Sequence, residues 1–171
     1  MAKTNAMRIL EHSSIAYTTH TYPVDESDLS GEHVAQALGL PKERLFKTLV
    51  LKGAKRGYLV YCIPCHETLD LKKAAQAASE KKVEMLPMKE LLPITGYVRG
   101  GCSPVGMKKP FPVWIDETAS LFDTIYVSAG ARGQMMELSP GSLVELLSAQ
   151  VCDLTQSGLE ERTPCSTTKS L

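Results

Sequence analysis

Two apolar runs close together constrain the fold more than any other feature of this chain. Phe46 to Leu51 (FKTLVL) and Tyr58 to Ile63 (YLVYCI) are separated only by the turn-like stretch Lys-Gly-Ala-Lys-Arg-Gly. The pair reads as a β-hairpin. In a strand over 46–51, Phe46, Thr48 and Val50 point one way and Lys47, Leu49 and Leu51 the other. Both sets are mostly apolar, so this strand is expected in the interior of a sheet covered on both faces. Lys47 is the exception in it. A lysine there is partly desolvated, and charges are seldom buried without a purpose or a partner. The bland alternative is a strand-end lysine that snorkels to water. On pattern alone the two readings stand level.

The remaining elements follow from punctuation. A short helix is expected over 5–13, with Met7, Ile9 and Leu10 available for burial. Residues 16–22 (AYTTHTY) alternate and read as a strand. Ser30 is placed to cap GEHVAQAL, which Gly39 ends at the C′ position. Asp70 caps DLKKAAQAAS, a segment of high helix propensity. A strand over 82–86 is followed by a short helix over 87–92, stopped by Pro93. Further strands are expected over 113–115, 124–127 and 135–138, and a short helix capped by Asp116 runs to Leu121. Ser139 and Pro140 open a last helix, SPGSLVELLSA. The sum is six or seven strands with four or five helices. That predicts one α/β or α+β domain, a partly antiparallel mixed sheet flanked by helices, over residues 1–155, with a polar tail over 156–171.

Length and charge exclude several classes. A chain of 171 residues suits one hydrophobic core, and 43% apolar with 22% charged residues is ordinary for a globular protein. No apolar run approaches the roughly 18 residues of a membrane helix. The N-terminal MAKTNAMRILEHSS lacks the apolar centre of a signal peptide, so the cytoplasm is expected. The 19 basic and 19 acidic residues cancel. That argues against a protein gripping long stretches of nucleic acid by itself, though not against one that contacts only an end of it. The five cysteines, Cys62, Cys65, Cys102, Cys152 and Cys165, read as free thiols in a reducing compartment.

Three segments could carry chemistry besides the Lys47 strand. Residues 95–112 (TGYVRGGCSPVGMKKPFP) hold four glycines and three prolines in 18 residues. Such a loop is often functional. Gly100, Gly101 and Gly106 allow backbone N–H groups to approach a ligand, and Lys108 and Lys109 add positive charge. The glycine spacing is not that of a P-loop. The turn Ser128 to Gly133 offers a hydroxyl, two glycines and Arg132, and an ordinary hairpin turn is its simplest reading. The run Cys62-Ile-Pro-Cys65-His66 has the spacing of a haem attachment site or a redox dithiol. It falls at the end of a predicted strand with no export signal before it, and His12, His20 and His33 are isolated. No metal and no cofactor is expected. There is no G-x-S-x-G and no marked acidic pair. A hydrolase built from this chain does not advertise a nucleophile of its own, which leaves water or the substrate open as the source.

The segments HTY (20–22), FKTL (46–49), LDLKKAA (69–75), KKVEM (81–85), TGYVRGGCSPVGMKK (95–109) and IYVSAGARG (125–133) resemble, in order, the YbaK type of Cys-tRNA(Pro) deacylase. That type belongs to the YbaK/ProX superfamily, which includes the inserted editing domain of bacterial prolyl-tRNA synthetase. The resemblance implies a curved mixed sheet flanked by helices. It implies removal of cysteine from mischarged Cys-tRNA(Pro), and from Cys-tRNA(Cys), because a hydrophobic pocket separates side chains of similar size poorly. It makes Lys47 the essential residue. It puts Tyr22, Thr48, Gly100, Gly101, Ser103, Pro104, Gly106, Ser128, Gly130 and Arg132 at the substrate. The implied reaction is substrate-assisted: the cysteinyl thiol attacks its own ester, and amides near Gly101 and Gly106 are expected to face the oxyanion. The implied partners are the acceptor end of the tRNA and prolyl-tRNA synthetase. Two positions depart from the pattern. Ser30 stands where an aromatic residue is usual, and Gln134–Met135 replace a usual polar residue, so the pocket wall is expected to differ. The rival readings are a sister deacylase that removes alanine or another small residue with water, a non-catalytic module that binds the acceptor end or a synthetase, and, more distantly, a redox protein using Cys62 and Cys65.

Overall fold

A computed structural model describes residues 2–157. The expected hairpin is its centre. Strands β2 (Phe46–Gly53) and β3 (Gly57–Pro64) pair antiparallel, with Lys47 opposite Ile63 and Thr48 opposite Cys62. The tight connection is held from outside the hairpin. The backbone N–H groups of Lys55 and Arg56 donate to the Glu80 carboxylate at 3.0 and 2.6 Å.

Among the described residues eight strands form two sheets rather than the single sheet expected. With β1 (Thr18–Thr21), β4 (Val83–Met85), β5 (Val113–Asp116), β6 (Ile125–Ala131), β7 (Gln134–Leu138) and β8 (Gln150–Cys152), the orders are β4-β2-β3-β5-β8 and β1-β7-β6. The larger sheet is mixed, since β5 runs parallel to β3 and β8 parallel to β5. The smaller is antiparallel. A bridge between Leu45 and Tyr126 links the two.

The central hairpin is covered on both sides, as its pattern requires. Phe46, Val50, Val60 and Cys62 pack with Val127, Met136 and Leu138 of the smaller sheet and with Leu10 of α1 (Asn5–His12) and Leu143 of α5 (Pro140–Leu147). Leu51, Leu59, Tyr61 and Ile63 pack instead against Ala74 and Ala75 of α3 (Leu71–Ala77). A third cluster joins Val34 and Ala35 of α2 (Gly31–Leu38) to Leu45, Cys65, Tyr126 and Met135.

The caps stand where the sequence put them. Ser30 accepts from the His33 amide, Gly39 closes α2 at φ +67°, and Asp70 accepts from the amides of Lys72 and Lys73. Four boundaries differ. Helix α4 (Met88–Thr95) runs through Pro93, because an N–H missing one turn inside a helix forfeits a single bond, and the Thr95 hydroxyl ties back to the Leu91 carbonyl at 2.7 Å. The presumed turn 128–133 is strand as far as Ala131, with an irregularity between Ser128 and Ala131. Helix α5 stops at Leu147, before the expected Ala149, and β8 follows unannounced. Gln156 and Ser157, assigned to the tail, bond to the domain through Thr68 O and Glu67. The rest of the expected tail lies outside the described residues. Among the described residues no helix is long and apolar enough to cross a membrane.

Candidate active site

A cleft of about 510 Å³ opens between the start of α2, the end of β3, strand β2, helix α4 and the glycine-rich loop. Lys47 and Thr48 line it from β2, and Leu29 to Glu32 from the chain entering α2. Cys65 lines it just past β3, Met88 and Leu91 from α4, and Arg99, Gly100 and Cys102 from the loop. Ser128 and Met135 line it from the smaller sheet, and Tyr22 from the chain just past β1. The walls are mostly apolar. Lys47 is half-buried there, and among the described residues only three in the lining carry formal charge: Lys47, Arg99 and Glu32. Among the described residues none of the three side chains has an ion-pair partner.

The structure brings five predicted site residues into one lining: Tyr22, Lys47, Thr48, Gly100 and Ser128. The other six lie behind it. Residues 98–101 form a β-turn in which Gly100 takes φ +84° and the Gly101 amide donates to the Val98 carbonyl at 3.0 Å. The Gly101 N–H is therefore already used, contrary to the oxyanion role expected of it. A Cβ on Gly101 would stand 3.0 Å from the Arg132 backbone nitrogen, so this glycine seats the loop flush on the β6–β7 hairpin. Gly106 and Gly130 both pack on Tyr97: added Cβ atoms would come within 2.8 Å of its hydroxyl and 3.0 Å of its ring. Gly106 thus faces Tyr97 and α1 rather than the substrate cleft. Ser103 is fully buried and its hydroxyl accepts from the Val105 amide, while Pro104 is buried beside it. Arg132 donates from Nε to the Arg99 carbonyl at 2.8 Å and lies 3.5 Å from Glu26. It positions the Arg99 turn from behind.

Sequence reasoning missed Tyr97, Glu32, Arg99, Cys65 and Cys102 as parts of this region. Tyr97 is the hub of the loop. Its hydroxyl donates to the Val105 carbonyl at 2.5 Å, and burial pushes that hydroxyl up to about 12. The only signal for it was an aromatic residue inside a glycine-rich run. The two cysteines are poor nucleophiles where they sit. Burial pushes the Cys102 thiol up to about 12. Burial and then the Glu32 charge raise Cys65 to about 11, with Lys47 acting in the opposite direction. Both stay protonated at neutral pH. Cys62, the other half of the presumed dithiol, is buried in the main core, its thiol raised to about 12 by burial and 3.8 Å from the Thr48 hydroxyl. Among the described residues no group of three or more His, Cys, Asp or Glu is placed to hold a metal ion.

A half-buried lysine and two amides without an acceptor among the described residues, those of Gly100 and Cys102, make a site that can hold an anion or a polarised carbonyl. Residues 27–146, which span this cleft, match the model of the aminoacyl-tRNA editing domain. The chain belongs to the aminoacyl-tRNA editing family. It is 48% identical over 153 residues to EbsC of Enterococcus faecalis, provisionally named a Cys-tRNA(Pro)/Cys-tRNA(Cys) deacylase, covering 90% of this chain and 93% of that one. It is 28% identical over 127 residues to the uncharacterized YwhH of Bacillus subtilis, covering 74% and 80% of the two chains. A crystal structure described provisionally as a trans-editing enzyme for prolyl tRNA synthetase superposes with a TM-score of 0.78 at 26% identity, over 91% of this chain and 99% of that one. The expected family and fold therefore stand. Of the departures from the family pattern expected at Ser30 and Gln134–Met135, Ser30 and Met135 line the cleft and Gln134 does not.

Proposed function

We propose that this chain clears cysteine from tRNA in trans, from mischarged Cys-tRNA(Pro) and also from the correctly charged Cys-tRNA(Cys). Lys47, half-buried in an apolar cleft without a carboxylate partner among the described residues, carries the reading. The similarity to EbsC supports the substrate.

Among the described residues the cleft holds no hydroxyl or thiol paired with a histidine. No described histidine lines it, its two thiols are protonated, and the Ser128 hydroxyl accepts from the Gly130 amide at 3.1 Å. This favours the substrate's own thiol. Its sulfur bonds to the ester carbonyl carbon, the bond from that carbon to the terminal ribose oxygen breaks, and the thiol proton passes to the departing ribose hydroxyl. The products are free tRNA and a cysteine thiolactone, which water opens. The protein supplies position and polarisation: Lys47 holds the ester end, and the Gly100 and Cys102 amides face the developing oxyanion in place of those of Gly101 and Gly106. Tyr22, Thr48 and Ser128 complete the wall around the aminoacyl group. Gly101, Ser103, Pro104, Gly106, Gly130 and Arg132 hold the loop that presents it.

With 19 basic against 19 acidic residues the chain has no surplus charge for tRNA, so it works on the acceptor end in the cytoplasm while prolyl-tRNA synthetase holds the rest. Incubation of the purified protein with Cys-, Ser-, Ala- and Pro-tRNA(Pro) tests the reading. Cysteine is released and serine, which lacks the thiol, is retained. Equal loss of serine rules out the thiol route, and preferential loss of alanine points to a water-using sister deacylase.

A further inference from the structure

The cleft carries one charge of the wrong sign for a phosphate or an oxyanion. Among the described residues Glu32 is the only carboxylate in its lining. It sits opposite in sign to Lys47 and Arg99, yet among the described residues it pairs with neither. Its charge and that of Lys47 are both felt at the Cys65 thiol, in opposite senses. Both line the same cleft, Glu32 from α2 and Lys47 from β2.

The placement of Glu32 is fixed by the fold. A Cβ on Gly31 would stand 2.5 Å from the Cys65 Cβ, so the backbone entering α2 lies directly against the end of β3. The Ser30 cap then sets the first turn of the helix, which carries Glu32. A glutamate in a first turn also favours the helix dipole, but that benefit does not depend on facing a cleft. An unpaired carboxylate beside an anion site weakens anion binding unless the ligand brings a cation of its own.

An aminoacyl ester brings one. Its α-amino group is the only cationic group at that end of the tRNA, and whether charged or neutral it presents N–H donors. Building on the aminoacyl-ester reading above, we propose that Glu32 accepts the free α-amino group of the substrate. Its function is to set the substrate class: esters with a free amino group are taken, and N-acylated ones, such as peptidyl or formylated aminoacyl esters, are spared. N-acylation removes the charge and all but one of the donors, and it adds bulk beside the helix start.

Steady-state cleavage of Cys-tRNA(Pro) and of N-acetyl-Cys-tRNA(Pro), its thiol left free, tests this with the full chain. The wild type loses about tenfold in kcat/KM on the blocked ester, the scale of one charge-assisted hydrogen bond. Glu32→Gln loses about the same on the free ester, mostly through KM, and no longer distinguishes the two. Glu43→Gln serves as the control, since Glu43 is also felt at Cys65 but does not line the cleft, and it behaves as wild type. A wild type that cleaves both esters equally overturns the proposal while leaving the deacylase reading intact. So does a Glu32→Gln variant that keeps wild-type discrimination. A wild type that cleaves neither ester overturns the deacylase reading and this proposal with it.

Discussion

At the scale of single residues, Lys47 and the loop glycines divide chemistry from architecture. Lys47→Ala removes one positioned cation from an apolar site, which costs roughly 3 kcal/mol of transition-state stabilisation, about a hundredfold in kcat/KM. It leaves stability nearly unchanged, because no ion pair is broken among the described residues. Rates and melting temperature measured on the same preparation check both halves. Gly106→Ala is expected to do the reverse. At φ +85°, and with the new Cβ 2.8 Å from the Tyr97 hydroxyl, alanine is strained and crowded. Tyr97 cannot swing aside without giving up its bond to Val105. The expected loss is about 1–3 kcal/mol, or a few degrees for each kcal/mol, read by thermal unfolding.

At the scale of elements, the site depends on how the central hairpin is anchored. Glu80 lies outside the hairpin yet accepts from the amides at its turn. The Arg56 amide, ahead of that of Lys55, holds the Glu80 carboxyl below its ordinary 4.5. A carboxyl lowered in the folded state adds stability above its unfolded pKa and loses it as pH falls through the folded value. Between about pH 5 and 3 the wild type is therefore expected to lose stability faster than Glu80→Gln, although Glu137, Asp25 and Asp28 are lowered as well and contribute in both proteins. Urea midpoints against pH for the two proteins check this. The other end of the hairpin is fixed by Gly31 packing on Cys65 and by the Leu45–Tyr126 bridge, which sets the smaller sheet against the larger. The cleft lies where these contacts meet.

At the scale of the whole molecule, neutral charge sets how tRNA is met. If only Lys47 and Arg99 meet phosphates of the single-stranded acceptor end, log(kcat/KM) falls with log[salt] at a slope between about −1 and −2. Rates between 50 and 300 mM salt, roughly the range over which such slopes are read, check it. A slope several times steeper means that a larger basic face is engaged.

Much of this was legible in the sequence because it is local. The FKTLVL and YLVYCI runs gave a hairpin covered on both faces, Ser30, Asp70 and Ser139 gave helix starts, and the ordered motifs gave the family. Lys47 stood out because a charge inside an apolar alternation needs a reason. What stayed hidden depends on contacts between distant segments. Strand β8 is too short to show a period and exists by pairing with β5. Helix α4 passes through Pro93 and ends with the Thr95 hydroxyl tied to the Leu91 carbonyl, neither of which a local pattern announces. A glycine-rich run announces close approach but not what approaches, and only the folded chain shows Gly106 and Gly130 closing on Tyr97 while Gly100 turns toward the cleft. Glu32 has no sequence signal at all. It lines the cleft because Gly31 lets α2 lie against Cys65, a contact between positions 34 residues apart that no local pattern encodes.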